Sequence, residues 1–197
     1  MIKEKNLKIF FIISALFLIS RAIIYYLGIY PDHVIFSNMW QVLDLKLLEY
    51  NFISSIYYLH YQPPIWNIIV GLIVKIFGPD YLIISQVIYF FNLIISLISI
   101  YILFKLTLIL KLNQLQIYTV YFFYILFSLS YIFYENYLHY THLTTLFFLL
   151  FIYYYFLFVK AFSLKYEFII YIVATFLVYT WSAFSHPLFI FLIFFTI

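Results

Sequence analysis

His139 and His142 stand three residues apart, which on a helix puts both rings on one face, a spacing that holds a metal when acids from elsewhere complete the shell. Spacing sets no third ligand, so any divalent cation and its identity stay unspecified. Glu135, flanked by Tyr134 and Asn136, falls where an apolar run reaches a membrane face. An acid at that depth is costly unless partnered, and orienting an acceptor group or holding a cation would partner it; snorkelling into water is the structural alternative. Arg21 interrupts the first apolar run about eight residues, roughly 12 Å, below its outer end. A cation so deep pairs with Asp32, Glu135 or a lipid phosphate, or extends its stem to the interface.

The elements that position these groups follow from hydropathy. The chain is 68% apolar and 9% charged, with a mean hydropathy of +1.11, against roughly 45–50% and about 25% for soluble domains. Apolar runs cover residues 9 to 29, 82 to 104, 115 to 133, 143 to 159 and 168 to 183, and another begins near 188 and is still apolar at Ile197. Runs of roughly 18 or more residues cross a hydrocarbon core of about 30 Å as helices. The expected fold is therefore an all-α, polytopic membrane protein with five complete transmembrane helices and a partial sixth, one transmembrane domain over residues 1–197. Cysteine is absent, which excludes disulfides, thiolate metal sites and cysteine nucleophiles. The net charge of +3 is scattered between the runs and forms no stripe, so nucleic acid is not an expected partner.

Charge placement gives the orientation. Lys3, Lys5 and Lys8 precede the first run, which is long and lacks a small-residue cleavage site, so it reads as an anchor and not as a removed signal. With the N-terminus cytoplasmic, the pairs Lys105 with Lys111 and Lys160 with Lys165 also fall inside, as the positive-inside rule expects; only Lys46 and Lys75 in the first outer loop lie outside. This topology then sorts residues not used to derive it: the five histidines, the five prolines and five of the seven acids fall on or near the outer face. The membrane expected is of the inner or endomembrane type, here a bacterial plasma membrane. A transporter would more often place polar groups near the midplane on interrupted helices of an internal repeat, and the sequence has no such repeat.

The outer loop, residues 30–81, reads as two juxtamembrane helices. The first, over 33 to 49, brings Phe36, Trp40, Leu43 and Leu47 to one side and leaves Asp44 about three turns in. The second starts at Pro63 and Pro64 and ends at Phe77, before Gly78 and Pro79. At about 21 Å it is short for a crossing. Tyrosines at 25, 26, 30, 57, 58, 61, 131, 134, 137 and 140 make an outer belt, whose ordinary role is interfacial anchoring.

Four segments carry a resemblance: Arg21 within the first helix, Tyr30-Pro31-Asp32 after it, YLHYQPPIWNIIVGLIVKIFG from Tyr58 to Gly78, and YENYLHYTHLTTLFFLL from Tyr134 to Leu150. Together they resemble the C superfamily of membrane glycosyltransferases, in the branch of the dolichyl-phosphate-mannose protein mannosyltransferases and bacterial aminoarabinose transferases. WSAFSHPLF from Trp181 to Phe189 is a weaker echo of a later outer segment. Family members commonly have more helices, so the resemblance implies the N-terminal part of a larger glycosyltransferase-like membrane domain.

The resemblance implies transfer of a sugar from a polyprenyl-phosphate donor to a glycan, lipid or protein acceptor on the outer face, with inversion and with no organic cofactor. One carboxylate takes the acceptor proton as the lipid phosphate leaves. Asp32 is the expected base, although an aspartate ahead of an amphipathic helix is also a favoured N-cap. Relatives carry Asp-Glu where this chain has Asp32-His33, which makes Asp44 a competitor for the position. Glu135 is the second catalytic carboxylate on this reading. Arg21, His60, Gln62, Asn136 and His139 are the expected substrate-binding residues, with His60 and Gln62 toward donor phosphate or sugar hydroxyls.

Overall fold

A computed structural model describes residues 4–32, 36, 42–59, 63–127, 136 and 138–180. Among them the regular structure is entirely helical. The elements in chain order are α1 (Glu4–Tyr26), α2 (Leu45–Tyr50), α3 (Phe52–Tyr57), α4 (Pro64–Phe77), α5 (Tyr81–Ile109), α6 (Gln114–Phe122), which runs on into a π-helical turn (Phe123–Phe127), α7 (Thr141–Ala161) and α8 (Leu164–Thr180). Among the described residues, three stretches are long and apolar enough to cross a membrane: Leu7–Tyr26, Tyr81–Ile109 and Thr141–Ala161.

Local chemistry sets the boundaries. α4 begins on Pro64 at its first turn, where a missing N–H costs nothing, and ends at Gly78, whose φ of 80° only glycine adopts freely. Asp80 caps α5 by accepting from the N–H groups of Leu82 at 2.8 Å and Ile83 at 3.0 Å. Asn113 and Gln116 form a reciprocal capping box at the start of α6. Phe162, at φ 44°, closes α7 and turns the chain into α8.

Packing follows these ends. α7 lies along both α5 and α8, and α4 packs against α2, α5 and α8. One apolar core joins Leu45 and Leu48 of α2 to Trp66, Val70 and Val74 of α4 and Ile84 and Ile88 of α5. A second joins Ile13 and Phe17 of α1 to Ile100 and Phe104 of α5 and Ile117 and Tyr121 of α6. The Tyr121 hydroxyl donates to the Ile100 carbonyl at 2.8 Å, which fixes α6 against α5. Along α5, Ser85, Asn92, Ser96, Ser99 and Thr107 recur at helical spacing and are all buried. Phe90, Ile94, Ile98 and Tyr101 are exposed on the same helix. That division suits a helix with lipid on one side and close helix contacts on the other, where small polar side chains let backbones approach.

The outer loop departs from expectation. A single helix over 33 to 49 is not formed: residues 42–44 are non-helical, and helix resumes at Leu45. Asp44 is the reason. Its carboxylate accepts from the N–H groups of Lys46 at 2.8 Å and Leu47 at 3.3 Å, so it starts α2 as an N-cap instead of lying three turns into a longer helix. Leu45 and Leu48 are buried against the bundle, and Leu47, one of the residues expected to rest on the membrane surface, is 48% exposed. α3 then crosses α4 at Gly71, where a Cβ would collide with the Phe52 ring. The Lys75 ammonium donates to the Glu49 carbonyl, tying the ends of α4 and α2 together.

Candidate functional site

α1 carries its cation in the C-terminal part of the helix. Arg21 lies five residues before the helix ends at Tyr26, about 7.5 Å and less deep than the sequence suggests, because Gly28 at φ 87° ends the helical turn early. It is nonetheless buried, at 3% exposure. Its Nη1 donates to Ser20 Oγ at 3.0 Å and to the Ile125 carbonyl at 3.2 Å, and its guanidinium sits 4.4 Å from the centre of the Phe17 ring. Ile125 belongs to the π-helical turn, whose wider spacing leaves carbonyls available to side-chain donors. Arg21 thus ties α1 to the end of α6 while bordering open space.

That space is a cleft of about 950 Å³ between the C-terminal part of α1 and the start of α5. Arg21, Tyr25, Tyr30 and Pro31 line one wall, and Ser85 and Gln86 stand on the other. Its remaining lining is apolar or aromatic, including Leu18, Tyr89 and Leu93. A charge held among apolar walls suits an amphiphile with an anionic head.

Asp32 follows Pro31 at the cleft edge and is exposed. Its backbone N–H donates to the Asn136 carbonyl at 2.9 Å. Two segments that lie far apart in sequence are therefore joined there. Asn136 is itself buried, at 9% exposure, and the buried Leu138 follows with φ 51°.

The left-handed Leu138 corrects the expectation for the histidines. α7 starts at Thr141, so His139 lies outside it and does not share a helical face with His142. His139 Nδ1 is 2.5 Å from Thr141 Oγ1, and its ring centre is 3.9 Å from that of Tyr140. Burial pushes its pKa down to about 4, so near neutral pH it is an uncharged hydrogen-bonding group. His142 is fully buried, with Nδ1 3.4 Å from Ser96 Oγ, and Ser96 in turn donates to the Asn92 carbonyl at 2.8 Å. Arg21 and His139 both lie within electrostatic reach of His142. Among the described residues no group of three His, Asp or Glu side chains is placed to hold a metal.

The structure thus brings Asp32, Asn136, Arg21 and His139 to one end of the bundle. Asp44 is occupied as a helix cap. Glu135, His60 and Gln62 lie outside the described residues, as do His33 and the Trp181 to Phe189 segment. Sequence reasoning missed Asn67, which is fully buried on α4, accepts from the Leu43 N–H at 2.8 Å through Oδ1 and donates through Nδ2 to the Pro63 carbonyl at 3.0 Å. An asparagine inside an apolar helix was the available signal. It also passed over the stripe of Asn92, Ser96 and Ser99.

No family model matches the chain, and neither a curated protein nor a solved structure is similar to it. The resemblance to the membrane glycosyltransferases rests on the four quoted segments alone.

Proposed function

We propose that this protein transfers a sugar from a polyprenyl-phosphate donor to a glycan, lipid or protein acceptor on the non-cytoplasmic face of a bacterial plasma membrane. Five to six spans, a cytoplasmic N-terminus and two juxtamembrane segments in the first outer loop belong to the same reading. The observation that carries it is the join between Asp32 and Asn136 at the edge of a cleft with the buried Arg21 in its wall. The donor's phosphate meets Arg21, its isoprenoid chain follows the apolar wall toward Leu18 and Leu93, and the sugar faces the exposed Asp32. Asp32 takes the acceptor hydroxyl proton as the new glycosidic bond forms and the phosphate departs, which inverts the anomeric centre without a covalent enzyme intermediate. His139, neutral near pH 7, accepts from or donates to a sugar hydroxyl.

The test is to incubate membranes holding the full chain with polyprenyl phosphates bearing labelled sugars and follow whether label leaves the lipid. Release of one sugar supports transfer; retention of every sugar tested removes it.

A second reading, passage of a solute or subunit contact within the membrane, is favoured by the buried stripe of Asn92, Ser96 and Ser99 beside His142. Polar groups inside spans mark such pathways. Flux through proteoliposomes without release of label would favour it.

A further inference from the structure

α5 and α7 meet along a seam whose polar groups sugar transfer does not use. Asn92 lies in the interior of the apolar span formed by α5 and is fully buried. Among the described residues neither its Nδ2 nor its Oδ1 has a hydrogen-bond partner. Ser99, two turns further along and equally buried, also leaves its hydroxyl without one among them. Between the two stands Ser96, which donates to the Asn92 carbonyl at 2.8 Å and lies 3.4 Å from His142 Nδ1. Residues 92, 96 and 99 share one face of the helix, and the contact of Ser96 with His142 turns that face toward the first turn of α7. That turn is buried at His142, Leu143 and Thr144, and Tyr140 at its N-cap gives it no side-chain hydrogen bond.

A buried amide and a buried helix start are each costly without partners, and the interior of a bilayer supplies none. Asn92, Ser96, Ser99 and His142 are all wholly shielded from the surface, which bars a lipid headgroup or a sugar and admits only a molecule of water's size. Water suits these groups chemically. It donates to an amide oxygen or a hydroxyl and accepts from an amide N–H, whether of a side chain or of a helix start. We infer that ordered water molecules occupy the seam between α5 and α7, hydrogen-bonded to the Asn92 amide, the Ser99 hydroxyl and the first turn of α7. They hold the entry of α7, the helix that follows the Asp32–Asn136 join, against the interior of α5. The site rests neither on sugar transfer nor on the orientation of the chain in the membrane.

Radiolytic hydroxyl labelling of the full chain in lipid nanodiscs, equilibrated in heavy-oxygen water, tests the site. A brief X-ray pulse splits bound water beside the side chains it touches, and peptide mass spectrometry reads the oxygen added. His142 takes up heavy oxygen in the wild type, whereas Phe104, a reactive ring buried among apolar side chains, does not. Asn92→Leu lowers the His142 label about fivefold, because the water loses two of its roughly three partners. Ser99→Ala lowers it by less, and Ile94→Ala, on the exposed side of α5, leaves it unchanged. Phe104 stays unlabelled in each variant, which separates lost water from lost fold. An unlabelled His142 in the wild type, wild-type labelling in both Asn92→Leu and Ser99→Ala, or labelling of Phe104 to the same extent as His142 would overturn the proposal.

Discussion

The backbone N–H of Asp32 donates to the Asn136 carbonyl at 2.9 Å, so the exit of the first membrane helix is docked onto the segment that enters α7. The bond is made by the backbone, so substituting the Asp32 side chain removes neither its donor nor its acceptor.

Topology is the first consequence open to test. The chain has no cysteine, so single cysteines report directly. Ser54→Cys on α3 should react with a membrane-impermeant maleimide in intact cells, and Gln114→Cys at the start of α6 only after lysis. The reverse pattern would leave the proposed chemistry on the wrong side of the membrane.

Arg21 separates charge from geometry. Arg21→Met should lower transfer efficiency at limiting donor by about tenfold or more, the loss of a charge-assisted hydrogen bond. Arg21→Lys should fall between, since it keeps the charge without the planar fork. Steady-state kinetics with varied donor lipid check this, and identical KM values in all three proteins would remove Arg21 from the donor site.

The docked segment should weaken in acid. His139 is held neutral in the folded chain, with its pKa lowered from the ordinary 6.5 to about 4 by burial. Between those values the unfolded chain binds a proton that the folded chain does not, so stability falls as pH drops from about 6.5 toward 4 and levels off below. Thermal unfolding in detergent across this range should show the loss, and His139→Phe should make the slope shallower. An unchanged slope in that variant would assign the acid sensitivity elsewhere.

Gly71 is set by the close approach of α3. Gly71→Ala should destabilise the outer loop by about 1–3 kcal/mol through overpacking against Phe52. Phe52→Leu should recover part of that loss in the double variant, as residues in contact are coupled. Denaturation of the two single variants and the double variant measures the coupling, and strict additivity would mean that position 71 and the Phe52 ring do not meet as described.

What the sequence made legible was local. Pro64 and Gly78 bound α4 through backbone constraints that act within one turn, and apolar length alone marked α1, α5 and α7. What it concealed came from single residues that override periodicity. Phe36, Trp40, Leu43 and Leu47 keep helical spacing across a break that Asp44 makes by capping α2, and Asn67 on α4, the later helix of the same loop, holds the Leu43 N–H. His139 and His142 keep it although the helix starts only at Thr141, after the left-handed Leu138, which leaves His139 outside the helix. The Asn92, Ser96 and Ser99 side chains were visible in the sequence as scattered polar residues. Their common face became visible only once α7 lay against it.

The most direct measurement compares wild type, Asp32→Asn and Asp44→Asn for release of labelled sugar from a polyprenyl phosphate in membranes of equal protein content. Wild type should release label and Asp32→Asn should not, while Asp44→Asn should turn over with its stability nearly unchanged, because the asparagine amide oxygen caps a helix about as well as a carboxylate. Normal turnover by Asp32→Asn, or its retention alongside inactivity of Asp44→Asn, would contradict the assignment of Asp32 as the base.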